Sequence, residues 1–488
     1  MAASLLLLQQ RTFSMFPYIP VARSNRALAV RPWVVLICLS ALQFLIAVDV
    51  TIVNIALPSI GHAFEIDQNT LPWIVIAYTI TGGGLLMLGG RLGDAFGRRN
   101  LLIIGTVVFG LASLAAGLAE SFLVLVIARI FQGVGEALAL PAAMAMIVLL
   151  FPEGPSRSRA LSIWAAVASC GLVLGFLLSG IIVEFLGWRW IFLIAVPIVL
   201  FVLVNTAALL PRDKPRERKP LDVFGSILLT CAPLLFSYGI VEIGKGRNIG
   251  WLPFLAFIGA SVSVALFVLV EMHTRNPLIP LSFFRNRSRT RANLATALLS
   301  AALSTSFLLL TFYLQDRLRL SALQAGLMLV PLAACLVIAV LVVPRLLGRW
   351  GARNCSLTGI SFAALGLILI ALADQVDAPV SALVPAMLLM ALGMGFGLIG
   401  LQYVAVTGVT DDNAGVASGV QRAADQLGGS AGVALYIGVG FSPSMVGADP
   451  YLLSSGLAVI GLIAAATIAS GIAPVRSDKP STTAHCEP

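Results

Sequence analysis

Two stretches decide how this chain folds: Arg91-Leu-Gly-Asp-Ala-Phe-Gly97-Arg-Arg99 and Arg345-Leu-Leu-Gly-Arg-Trp-Gly351-Ala-Arg353. Each places a glycine six positions and an arginine eight positions after its first arginine, and each lies between two long apolar runs. A short basic segment recurring in the same setting is the mark of a chain built from two related halves.

Working outward from them, the sequence is a succession of apolar runs. Of 488 residues, 59% are hydrophobic and 11% charged, with a mean hydropathy of +0.99. A soluble chain carries about 25% charged residues, so water is not the main solvent here. A helix needs about 20 mostly apolar residues to span a bilayer. Fourteen runs qualify, at about 32–57, 71–91, 100–119, 122–150, 159–185, 190–210, 222–243, 251–272, 292–314, 321–344, 355–373, 380–406, 413–440 and 452–473. They are continuous rather than alternating, which excludes a β-barrel. The first and ninth runs start the two halves. The expected organisation is a tail 1–31, a six-helix bundle 32–210, a basic loop 211–221, an inserted helix pair 222–272, a basic loop 273–291, a second six-helix bundle 292–473 and a tail 474–488.

The net charge of +9 reflects topology rather than a nucleic-acid partner. Of the 31 Lys and Arg, 24 fall in the tails and in the loops on the side of the N-terminal tail, five fall on the other side, and Arg129 and Arg422 fall within runs. The positive-inside rule makes the tail side cytoplasmic, with both termini inside. Residues 1–31 lack a signal-peptide pattern: Leu5–Leu8 is too short an apolar core and no basic segment precedes it. The six cysteines form no CxxC pair and the three histidines are scattered, so no metal site is expected. Gly239–Gly246 lacks the Ser or Thr a P-loop needs, and the GxGxxG at Gly395–Gly400 lies inside an apolar run, where helix packing is the better reading.

Function is then sought in the charges inside the runs: Asp49, Arg129, Glu136, Arg422 and Asp425. Each costs about 2.5–3.5 kcal/mol or more at a helix centre, and such residues face a bundle interior or a wet cavity. A desolvated carboxyl at Asp49 favours its neutral form and can bind and release a proton as water access alternates; the other reading is a packing residue bonded to a nearby Thr or Asn. Arg129 and Gln132 share a helix face, and Arg129, which cannot deprotonate, must point at a carboxylate, a dipole or water. Glu136 reads as a second proton site, a cation-substrate site, or the lining of a polar vestibule. Arg422 and Asp425, three residues apart, read as a local ion pair near the cytoplasmic end of the thirteenth run. Gly171, Gly175 and Gly180 in the fifth run permit a hinge or a close helix interface.

These residues resemble the major facilitator superfamily, specifically its fourteen-helix drug:proton antiporters, over nearly the whole chain. Gly89–Arg99, with Gly90, Arg91, Gly93, Asp94, Gly97, Arg98 and Arg99, is similar to the family's loop 2–3 motif. The resemblance implies a cytoplasmic charge-relay gate in which Asp94 meets a helix end and an arginine across the halves. Asp49–Pro58 resembles the span-1 motif whose acid is linked to proton coupling. Arg129–Gly133 resembles the span-4 motif, and Gly187–Phe192 the turn before span 6. In span 5 the family's Gly-Pro is Gly175-Phe176 here, and Ser179-Gly180 replaces its glycine pair.

The resulting expectation is an all-α membrane protein with the major facilitator fold, fourteen transmembrane helices in two six-helix halves plus an inserted pair. It is a monomer of the bacterial cytoplasmic membrane. It is not an enzyme, and it exports a hydrophobic, antibiotic-like small molecule in exchange for protons. No cofactor is expected; the proton gradient supplies the energy. The alternatives are a dedicated exporter of an endogenous metabolite or siderophore, a uniporter and, remotely, a non-transporting membrane enzyme or sensor.

Overall fold

The computed structural model describes residues 32–151, 154–210, 222–244, 250–274, 277–279, 281–375, 380–407, 409, 414–442 and 449–473. The expected tails 1–31 and 474–488 and the basic loop 211–221 lie outside the described residues, as does the side chain of Asp94.

The helices are α1 (Pro32–Phe64), α2 (Trp73–Phe96), α3 (Arg98–Gly117), α4 (Phe122–Leu150), α5 (Pro155–Phe185), α6 (Trp190–Leu193), α7 (Ala195–Leu209), α8 (Val223–Gly244), α9 (Leu252–His273), α10 (Arg287–Phe312), α11 (Ala322–Trp350), α12 (Ala352–Gln375), α13 (Leu383–Val406), α14 (Ala414–Gly440) and α15 (Pro450–Ser470). No strand occurs among the described residues. Helices satisfy every backbone polar group internally, which an apolar solvent requires. Among the described residues, twelve helices are long and apolar enough to cross a membrane, α6 and α7 counting together. Helices α5 and α14, of 31 and 27 residues, pack among them.

Several expected boundaries need correction, the first being that α1 runs on to Phe64 rather than ending near 57. The segment 91–99 is not a loop: α2 runs on to Phe96 and α3 starts at Arg98, leaving only Gly97 between them. Gly97 has φ +99° and its N–H returns to the Gly93 carbonyl. A side chain would strain that backbone, so glycine makes the turn. The echo segment does the same, with Gly351 at φ +75° between α11 and α12 and its N–H on Leu347. The second basic loop is shorter than 273–291, because Asn286 caps α10 by accepting from the Arg289 N–H and helix begins at Arg287. The sixth run is interrupted at Ile194, between α6 and α7.

In the first half α4 packs on α2 and α3, and α1 on α5 and α7; in the second, α13 packs on α11 and α12, and α10 on α14 and α15. Helix α8 lies against α9, α2 and α14. The two halves meet mainly through α5 with α11 and α2 with α14. Three hydrogen bonds tie them at the end away from Arg91. Gln68 Nε2 donates to Asp316 Oδ2 (2.7 Å), Gln315 Nε2 to the Ile55 carbonyl (2.9 Å) and Asn69 Nδ2 to the Phe441 carbonyl (2.7 Å). Gly180 joins this closure: a Cβ there would fall 2.8 Å from the Ala322 carbonyl on α11.

Candidate functional site

The geometry of α4 makes the site. Arg129, Gln132 and Glu136 lie on one face of that helix, and a Cβ at Gly133 would come 2.5 Å from the Tyr78 carbonyl on α2. The helices therefore touch backbone to backbone, and long polar side chains fit beside the contact.

Arg129 is 1% exposed and Asp49, on α1, 4%. The Arg129 Nη1 donates to Asp49 Oδ2 at 2.6 Å and to Gln132 Oε1 at 2.9 Å, and its Nε donates to the Ile74 carbonyl at 2.9 Å. Gln132 Nε2 donates to Asp49 Oδ1 at 3.4 Å and to Ser113 Oγ on α3 at 2.8 Å. The guanidinium carbon sits 4.1 Å from the Tyr78 ring centroid and 5.9 Å from that of Phe192. Both Asp49 oxygens are engaged, which is what makes a buried charge pair tolerable. Asp49 faces a guanidinium rather than the Thr or Asn partner that the sequence left open: Thr51 and Asn54 bond to backbone carbonyls of α1 instead.

Glu136 is the contrast. It is fully buried, and Oε1 accepts from Gln426 Nε2 on α14 at 3.4 Å. Its Oε2 lies against Gly82 and has no hydrogen-bond partner among the described residues; the same holds for Gln426 Oε1 and the Tyr78 hydroxyl. The Tyr78 hydroxyl is close to Glu136. Tyr78 thus has its ring on Arg129 and its hydroxyl beside Glu136, linking the two acids. Thr79 and Ser430 are hydrogen-bonded next to this point, here from α2 to α14.

Arg422 and Asp425 do form the local pair, at 3.9 Å, but with side chains 49% and 32% exposed. Asp425 Oδ1 takes a second bond from Ser300 Oγ at 2.5 Å. Gly171 and Gly175 place α5 against α1: a Cβ at Gly171 would meet Ala47 at 2.7 Å, and one at Gly175 would collide with Thr51. Phe176, where the family has proline, stacks on Phe307 of α10 with centroids 5.5 Å apart. Gly90, Arg91, Gly93 and Asp94 lie on the last turns of α2, Gly97 is the turn, and Arg98 and Arg99 open α3; Arg99 donates to the Ala207 carbonyl at 2.9 Å. Tyr78, Ser113 and Gln426 escaped sequence reasoning. Only Gln426, a polar residue beside Asp425 in an apolar run, carried a signal.

Comparison with known proteins agrees with this architecture. A family model described as Major Facilitator Superfamily matches residues 39–433. A lincomycin resistance protein of Streptomyces lincolnensis is 48% identical over 445 residues, covering 91% of this chain and 92% of that protein. A puromycin resistance protein of Streptomyces alboniger is 36% identical, covering 83% and 81%. The xylose transporter XylE from E. coli, in a partially occluded inward-open conformation, superposes with a TM-score of 0.60 at 14% identity over 91% of this chain and 98% of that one. That last likeness shows the fold alone.

Proposed function

This chain belongs to the Major Facilitator Superfamily, and on that premise we propose that it is a proton-coupled efflux transporter that exports a hydrophobic antibiotic-like small molecule and confers resistance to it. The names of the resistance proteins it is similar to support efflux. The observation that carries the coupling is the buried Asp49–Arg129 pair with Glu136 beside it at the contact between halves. In this reading α1–α15 form fourteen spans, with α8 and α9 as the inserted pair. The Arg91 end and both termini face the cytoplasm of a bacterium, as the basic residues direct.

The chemistry follows from the partners. Protonation of Asp49 removes the charge that holds Arg129. The guanidinium stays charged, so its field turns toward the next acid, Glu136, across the Tyr78 ring. Glu136 has one contact from the second half, through Gln426, so movement of the halves changes what it faces. An acid whose surroundings change with conformation binds its proton in one state and gives it up in the other. A potential of 100 mV supplies about 2.3 kcal/mol per charge moved.

The test is a drug-susceptibility panel, including lincomycin and puromycin, in a pump-deficient host with and without a protonophore. Raised tolerance that the protonophore abolishes is the expected result. Tolerance unaffected by the protonophore would refute proton coupling, and no raised tolerance to any compound would refute drug efflux.

A further inference from the structure

A second buried acid lies outside the site just described. Glu271, in the last turn of α9, is 4% exposed. Helix C-termini disfavour negative charge, and an unsolvated carboxylate is costly unless hydrogen-bonded. The bonds it has are unusual. Glu271 Oε1 accepts from the backbone N–H groups of Leu278 (3.1 Å) and Ile279 (3.3 Å), and Oε2 accepts from Ile279 at 3.2 Å. The carbonyls of the same short strap face the other way. Arg91 Nη2, from the end of α2, donates to the Pro277 carbonyl and, at 3.4 Å, to that of Leu278. Residues 277–279 are thus clamped with their N–H groups on an acid and their carbonyls on a guanidinium, and such charge-assisted bonds are the stronger kind.

The strap also bridges the halves. Leu278 and Ile279 are 0% and 5% exposed, and pack in one cluster with Phe283, with Ala417 and Val420 of α14, and with Met87 of α2. Asp222, buried at the start of α8, caps that helix through the Gly225 N–H at 2.7 Å and adds a second acid nearby. The inserted pair therefore sends a short segment from its exit into the seam between α2 and α14.

We propose that Glu271 is a positioning residue for transport: it seats the 277–279 strap on Arg91, so that the inserted pair sets the fit of the two halves at the Arg91 end. The proposal rests on the transport reading, because only a protein whose halves move has need of such a seat. The gate motif then has a partner beyond the two halves: Arg91 is held by a segment that α9 supplies.

The experiment uses the full-length protein in everted membrane vesicles. A Leu278→Cys substitution is labelled with a membrane-impermeant maleimide and read by mass spectrometry at that peptide, with and without Glu271→Gln. The native Cys38 and Cys355, both buried, report folding, since neither labels while the bundle is intact. Glu271→Gln should raise labelling at 278 about tenfold as the strap opens locally, and Glu271→Asp should restore most of the protection. Without Leu278→Cys, Glu271→Gln should lower lincomycin turnover about tenfold with KM changed less than about twofold, as expected when a positioning group is misplaced while substrate binding is kept. Unchanged labelling at 278, or looser labelling with normal turnover, would overturn the proposal. The labelling needs no transport, so a lack of drug efflux would count against the transport reading and not against the strap.

Discussion

Asp49 and Glu136 are both buried acids beside α2, but their surroundings are opposite. Asp49 lies wholly within the first half, with one oxygen on Arg129 and the other near Gln132. Glu136 has a single 3.4 Å amide contact, which comes from the second half, and an oxygen with no partner among the described residues. In the proposed transport cycle the difference separates two tasks. A fully paired acid holds a charge arrangement fixed until a proton breaks it. A half-paired acid at a moving seam senses where the other half stands.

The sharpest way to break this contrast is Arg129→Ala. It leaves Asp49 as a buried charge without its cation, which costs about 3–5 kcal/mol. Folded protein in the membrane should fall and efflux should vanish; normal yield by fluorescence-detected size exclusion would show that the pair is not structural. Glu136→Gln comes next. It orphans no opposite charge, so yield should match the unaltered protein, while proton-driven turnover in proteoliposomes falls about tenfold, a rise of about 1.4 kcal/mol in the barrier. A yield as poor as that of Arg129→Ala would erase the distinction. The smallest effect belongs to Arg422→Gln. Its pair with Asp425 is 3.9 Å long and half in water, and exposed pairs are worth about 0–1 kcal/mol. Thermal stability should stay within a few degrees, about the shift such an energy produces in a large chain; complete loss of efflux would move Arg422 into the coupling machinery.

How much of this was legible in the sequence depends on the range of the interaction. Continuous apolar runs and the motif residues are visible along the chain, so helices and the family resemblance could be read directly. The backbone carries the echo further, with Gly97 and Gly351 making the same left-handed turn. That turn also explains the misplaced loop. Nothing from Arg91 to Phe96 breaks a helix, so α2 continued to the glycine. The buried charges were visible as misfits in apolar runs, but their partners were not. Tyr78 and Gln426 sit on other helices, and no periodicity reports which side chain of one helix meets which of another. Glu271 stands at the very end of the eighth run, next to a basic segment, where a charge is no misfit, and nothing local reports that its carboxylate is turned inward onto backbone N–H groups.

In the proposed cycle a proton on Asp49 drives export by releasing Arg129. Its most direct test is transport by Asp49→Asn in proteoliposomes under an imposed pH gradient, with folded content checked in the same preparation. An amide at position 49 keeps the shape of the protonated acid, and Arg129 retains Gln132 Oε1 and the Ile74 carbonyl as acceptors, so the variant should insert, still exchange drug in both directions without a gradient, and gain nothing when the pH gradient is applied. Gradient-driven accumulation at the rate of the unaltered protein would contradict the cycle.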